Sequence, residues 1–160
     1  MFKGPQKTIQ SSIQIQGKGL HTGINGNLYL KPAEPNTGIL FKRTDVSSEK
    51  SLIEASYKNV TSPILCTKIM NSHGISISTI EHLMAAFYGE GIDNILVEID
   101  CPEIPIMDGS AFDFVEAIRS VGTEDQKYTR KFINTKKKVE IKDGQKSISI
   151  EPLANDLIID

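Results

Sequence analysis

The fold turns on Ser78-Thr79-Ile80-Glu81-His82-Leu83-Met84-Ala85-Ala86-Phe87-Tyr88-Gly89. Ser-x-x-Glu predicts a helix starting at Ser78, the serine oxygen capping an early N–H and Glu81 reaching back to the serine N–H. Gly89 or Gly91 can end it. At about 100° per residue, Ile80, Leu83, Met84 and Phe87 form one apolar stripe. His82 falls nearly opposite, beside Ala85 and Ala86. A helix apolar on one side and small on the other is expected to be covered on both, placing His82 in a partly closed space. One turn from a helix N-terminus, the dipole favours the neutral imidazole that a metal needs. Two plainer readings stand beside this one. Capping alone is enough to explain Glu81, and a lone helical histidine is more often a hydrogen-bonded residue than a ligand.

Working outward, the segment before this helix reads as a hairpin, Pro63–Met70 with Ile75–Ile77 around Asn71-Ser72-His73-Gly74, with His73 solvated at the tip. After the helix, Ile95, Val97 and Ile99 alternate with Leu96, Glu98 and Asp100 as a strand, and Leu96 implies cover on both faces. Cys101–Gly109 is a proline-stiffened loop delivering Asp108 to a second helix, capped by Ser110 with Asp113 at the third position. Its stripe is Ala111, Phe114, Val115 and Ile118, and Gly122 closes it. Earlier in the chain, Ile13 and Ile15 start a strand that turns at Gly17–Gly23 and returns through Leu28 and Leu30 to Pro32. The glycines could cradle a phosphate, but no helix signal follows them and a tight turn is the simpler reading. Ile39–Arg43 reads as a short strand and Thr44–Lys50 as a polar loop.

These elements predict an α+β domain, a two-layer sandwich of a mostly antiparallel sheet with two helices on one face, over residues 1–125. The polar, aperiodic stretch Thr123–Arg130 marks the boundary. Residues 126–160 then repeat the opening order weakly, through the hairpin Lys138–Ile141 and Ser147–Ile150 and a final strand at Leu157-Ile158-Ile159-Asp160. They read as the start of a second, similar and incomplete domain.

The chain has 160 residues and a formal charge of −2. That balance gives no footprint for nucleic acid. No apolar run is long enough to cross a membrane, and the start lacks a signal-peptide core. Two cysteines, Cys66 and Cys101, make no disulfide framework, so a reducing cytoplasm is the expected compartment.

Together the motifs resemble the UDP-3-O-acyl-N-acetylglucosamine deacetylases, zinc amidases of lipid A synthesis in Gram-negative bacteria. The resemblance covers nearly the whole chain. It is carried by Gly17-x-Gly-Leu-His-Thr-Gly23, Pro35-Asn-Thr-Gly-Ile39, Arg43-Thr44-Asp45, Leu65-Cys66-Thr67, Thr79-Ile-Glu-His-Leu-Met-Ala-Ala86, Gly91-Ile-Asp-Asn94 and Pro102-Glu-Ile-Pro-Ile-Met-Asp-Gly-Ser110. It implies two similar α+β domains whose helix layers face each other across the active site. His82 is then one of three protein ligands of a catalytic Zn2+, and Glu81 the general base that takes a proton from the attacking water. The implied reaction cleaves the N-acetyl group of UDP-3-O-acyl-N-acetylglucosamine and releases acetate. Leu65 and Cys66 match positions lining the substrate side, and Lys146 one approaching the nucleotide phosphates. From the residues alone, Cys66 reads equally as a buried small residue and Lys146 as a solvated lysine.

By the same resemblance, the other two zinc ligands and a further catalytic histidine belong to the second domain, beyond Asp160. Only three histidines occur here, with His21 and His73 both in turns. The chain therefore reads as a fragment, inactive alone, whose partner is the second domain of the same enzyme. A non-catalytic binding or assembly module is the alternative, and a small RNA-binding domain a remoter one, opposed by the mild acidity.

Overall fold

The computed structural model describes residues 4–61, 64–133 and 135–153. Pro63, expected to open a strand, and the expected strand Leu157–Asp160 lie outside the described residues. Two compact units emerge, one over Pro5–Thr129 and a smaller one that takes in the chain from Arg130 onward.

In the larger unit the strands are β1 (Pro5–Ile9), β2 (Ile13–Lys18), β3 (Asn25–Pro32), β4 (Ile39–Arg43), β5 (Leu52–Glu54), β6 (Lys68–Met70), β7 (Ser76–Ser78), β8 (Ile95–Ile99) and β9 (Thr123–Thr129). The helices are α1 (Glu81–Glu90) and α2 (Phe112–Val121). Five strands form one sheet in the order β2-β3-β8-β4-β5. Every pairing in it is antiparallel except β4 with β8. The result is the expected α+β fold with a mostly antiparallel sheet.

Period-two alternation explains the sheet. Leu28 and Leu30 of β3, Phe41 of β4, and Ile95, Val97 and Ile99 of β8 are fully buried. Leu83, Ala86 and Phe87 of α1 join them in one core with Phe114 and Ile118 of α2. Burial of each of these side chains, Ala86 excepted, stabilises the unit by about 1.5–3 kcal/mol. On the opposite face of β8, Leu96 and Glu98 are half-buried. Glu98 receives Lys31 Nζ at 2.6 Å and Lys42 Nζ at 2.9 Å from the two neighbouring strands. The lysines hold its carboxyl below the usual range against the opposing pull of burial.

Several expectations are corrected. α1 begins at Glu81 rather than Ser78, and Ala86 lies on the buried stripe rather than on the face of His82. Of the two candidate stops, Gly91 ends α1, with φ of 69° and its N–H reaching the Phe87 and Tyr88 carbonyls. Strands β1 and β5 were not anticipated. Most of Thr123–Arg130, read as an aperiodic boundary, is strand β9, paired antiparallel with β1. Its sequence shows no alternation because every residue of β9 is at least partly exposed.

A buried amide cluster joins the ribbon to the sheet. Asn94 accepts the Gly38 N–H at 2.8 Å and donates to Gln6 at 2.9 Å and Gln126 at 2.7 Å. Beside it Asp93 accepts the Lys7 N–H at 2.9 Å. These bonds explain why Gly91-Ile-Asp-Asn94 carries polar residues at the start of a buried strand. In the smaller unit, β10 (Val139–Asp143) and β11 (Lys146–Ile150) form the expected hairpin.

Candidate functional site

The site is built where β7 passes into α1. Ser78 belongs to the strand, not to a cap. Its N–H donates to the Pro102 carbonyl at 3.0 Å, its hydroxyl to the same oxygen at 3.2 Å, and its own carbonyl accepts from Ile104 N–H at 3.0 Å. The chain then turns through Thr79 at φ 58°, a left-handed conformation unusual for a β-branched residue. α1 consequently starts with no side-chain cap. The capping box read from Ser78 and Glu81 does not form.

Glu81 is thereby released for another bond. Its Oε2 accepts the Thr67 N–H at 3.0 Å, while the Ile80 N–H reaches the Thr67 carbonyl at 3.4 Å. Thr67 thus clamps the helix start to the bend that carries Leu65 and Cys66. Leu65 is 87% exposed and left-handed at φ 61°, whereas Cys66 is half-buried with a free thiol. A cleft of about 270 Å³ runs beside this clamp, lined mainly by Tyr57, Val60, Ile69, Ile80 and Met84, with Glu81 the carboxylate in its wall.

A second acidic residue organises what surrounds the turn. Glu103 is 1% exposed, yet both of its carboxylate oxygens are hydrogen-bonded. Oε1 accepts from His21 N–H at 2.9 Å and from the Thr79 hydroxyl at 3.0 Å. Oε2 accepts from Thr22 N–H at 2.8 Å. Burial pushes the Glu103 carboxyl up, but these donors outweigh it and hold the group down at about 2. Gly19 makes the arrangement possible, since a Cβ there would collide with Glu103 Oε2 and Thr22 Oγ1. Glu103 and Thr79 were missed by sequence reasoning. An acid placed among Pro102, Ile104 and Pro105 was the available signal.

His82 is half-buried on the first turn of α1. Across from it, Asp108 is exposed and accepts from both the N–H and the hydroxyl of Ser110 at 2.8 Å. Those two bonds lower its carboxyl, with a smaller electrostatic contribution from His82, so the two side chains share one electrostatic neighbourhood. Among the described residues no three His, Cys, Asp or Glu side chains converge as a complete metal site. The donors present suit part of one: an imidazole with a carboxylate beside it. His21 contributes its backbone N–H to Glu103, and His73 is exposed at the β6–β7 tip. Lys146 is exposed at the start of β11 in the smaller unit. The structure therefore brings together Glu81, His82 and the Leu65-Cys66 bend within one unit. Cys101, by contrast, is buried, its thiol raised chiefly by burial and bonded to the Glu103 carbonyl at 3.2 Å.

Comparison with known proteins bears on the family of the chain as a whole. A protein of Aliivibrio fischeri named UDP-3-O-acyl-N-acetylglucosamine deacetylase is 46% identical over 147 residues, covering 92% of this chain and 48% of the relative. Proteins of the same name from Actinobacillus succinogenes and Haemophilus influenzae are 48% and 45% identical over the same extents. The chain spans about half the length of the curated relatives it matches. Residues 6–160 match the family model described as UDP-3-O-acyl N-acetylglycosamine deacetylase. On a match of that extent, the chain belongs to the UDP-3-O-acyl N-acetylglycosamine deacetylase family.

Proposed function

We propose that this chain carries the general base and one metal ligand of a zinc-dependent enzyme that hydrolyses the N-acetyl group of UDP-3-O-acyl-N-acetylglucosamine in lipid A biosynthesis. The substrate class follows from the names of the relatives. The observation that carries the reading is the bond between Glu81 Oε2 and Thr67 N–H at 3.0 Å. It fixes the carboxylate in the wall of an apolar cleft, with the other oxygen left to take a proton.

In the reaction, Glu81 removes a proton from water, and the oxygen bonds to the acetamide carbonyl carbon. The C–N bond then breaks, acetate leaves, and the proton passes to the departing amine. His82, on the first turn of α1, would hold the zinc. When bound, the metal supplies Lewis-acid polarisation and makes water acidic near neutral pH. Leu65 and Cys66 would meet the sugar side of the substrate. Lys146 would approach the nucleotide phosphates, and two free thiols suit a reducing cytoplasm. One imidazole falls short of the three protein ligands usual for catalytic zinc. The others are assigned to a second, similar α+β domain, which the chain after Thr129 would begin.

The test has two arms. The purified 160-residue chain is expected to bind zinc weakly and show no turnover. Joined to the second half of the Aliivibrio fischeri relative, it is expected to deacetylate the UDP-sugar. Glu81→Ala in that chimera should keep zinc and lose roughly 10²–10⁴-fold in rate. A rate within a few-fold of the unaltered chimera would remove Glu81 as the base.

A further inference from the structure

We propose that Glu103 is a positioning residue for the Glu81–His82 pair: by holding Thr79 in its left-handed turn, it sets the direction in which α1 leaves β7. The proposal rests on the reading of Glu81 and His82 given above. A β-branched residue at φ 58° is strained and persists only where its surroundings over-determine it. Here they do. The Thr79 hydroxyl donates to Glu103 Oε1 at 3.0 Å, and both side chains are almost wholly buried. The strand on one side of Thr79 is laced to the Glu103 loop through Ser78 N–H to the Pro102 carbonyl and Ile104 N–H to the Ser78 carbonyl, both at 3.0 Å. On the other side, Ile80 N–H is tied to the Thr67 carbonyl. Thr79 is the single joint between these anchors, and Glu81 follows two residues later.

Glu103 also explains the three-glycine loop. With a carboxylate accepting from His21 and Thr22 N–H, that loop closes over the turn rather than over a phosphate. Gly19 leaves the space the carboxylate occupies. Glu103 touches neither of the reacting side chains. Its effect is transmitted through one hydroxyl and one backbone turn, and a displacement of about 1 Å at a reacting group is worth about 10²-fold in rate.

The decisive comparison uses Thr79→Val, which removes the hydroxyl at nearly constant shape, with Thr79→Ser as the variant that restores it. Glu103→Gln supplies a second perturbation, because its amide nitrogen cannot accept the third hydrogen bond. In the 160-residue chain, Thr79→Val should shift the backbone amide signals of Ile80–Leu83 and the His82 ring signals, Thr79→Ser should return them, and Glu103→Gln should shift them less, since its remaining oxygen can still take the Thr79 hydroxyl. A merely structural Glu103 would lower the melting temperature and leave those signals in place. Unmoved signals in folded Thr79→Val would overturn the proposal, whether or not Glu103→Gln folds. In the chimera, Thr79→Val should lower kcat by about 10–100-fold with KM within about twofold, and Thr79→Ser should recover it. Unchanged kcat in an active Thr79→Val chimera would also overturn it. If the unaltered chimera is inactive, the deacetylase reading has failed, and the spectra alone decide the positioning role.

Discussion

α1 and α2 are both ten residues long, yet they begin by opposite means. α2 is started by its own neighbours. Asp108 accepts from Ser110, and the Ser110 hydroxyl oxygen accepts from Phe112 N–H at 3.0 Å, all within five residues. α1 is started from a distance, by Thr67 fourteen residues before Glu81 and by Glu103 twenty-four after Thr79. A local start can form before the rest of the unit folds. A long-range one exists only in the packed molecule, and it stores strain at Thr79. The helix that presents the proposed base and ligand is therefore the one whose orientation depends on tertiary structure.

The largest effect should come from breaking the long-range start outright. Glu103→Ala leaves the His21 and Thr22 N–H groups and the Thr79 hydroxyl without their buried acceptor, which should cost on the order of 3–5 kcal/mol. Denaturant unfolding should show a lower midpoint at unchanged slope. A loss under about 1 kcal/mol would mean that water or a neighbour replaces the carboxylate readily, and the contrast between the helices would shrink accordingly.

Acid should expose the same difference more gently. Glu103 sits at about 2 in the folded unit against an ordinary 4.5. A lowered carboxyl stabilises the fold fully above pH 4.5, and that stabilisation drains away as pH falls through about 2. The amount at stake is about 3 kcal/mol. Asp45 and Glu98, lowered by Arg43 and by the Lys31–Lys42 pair, add to the acid loss. Glu103→Gln isolates the one contribution: the gap between variant and parent should be largest above pH 5 and nearly close by pH 2. A constant gap across that range would show that Glu103 is not the group that titrates.

How much of this was legible in the sequence follows the same division between local and distant causes. Strand β4 could be read residue for residue at Ile39–Arg43, and β8 from the alternation of Ile95, Val97 and Ile99. The stripe of α2 was legible too, since Phe114 and Ile118 are buried where the period puts them. β1 and β9 were not, because a ribbon whose strands are stabilised by each other and by Gln6, Asn94 and Gln126 leaves no period in either strand alone. At the site, Glu81 and His82 were legible as a pair, but the role of Glu81 in a cap was misread. Ser-x-x-Glu specifies a cap only if the serine is the last non-helical residue. Here the backbone inverts at Thr79 one residue later, and nothing local announces an acceptor on Glu103.

The finest test of the contrast compares the two serines that the sequence casts alike. The N-cap of α2 is Ala111 and makes no side-chain bond, so Ser110, expected as the cap, sits one residue before it; Ser110→Ala removes the oxygen that receives Phe112 N–H and the hydroxyl held by Asp108, and should cost about 1 kcal/mol, the value of a lost hydrogen bond. Its mark should be local, with faster hydrogen exchange in the first turn of α2. Ser78→Ala removes only the hydroxyl bond to the Pro102 carbonyl, which keeps its bond from the Ser78 N–H, so the cost should stay at or below about 1 kcal/mol. Exchange in the first turn of α1 should not change, because Thr67 and Glu103 hold that turn without help from the Ser78 side chain. Fraying of α1 in Ser78→Ala would mean that the serine does act as a cap and that the two helices start in the same way after all.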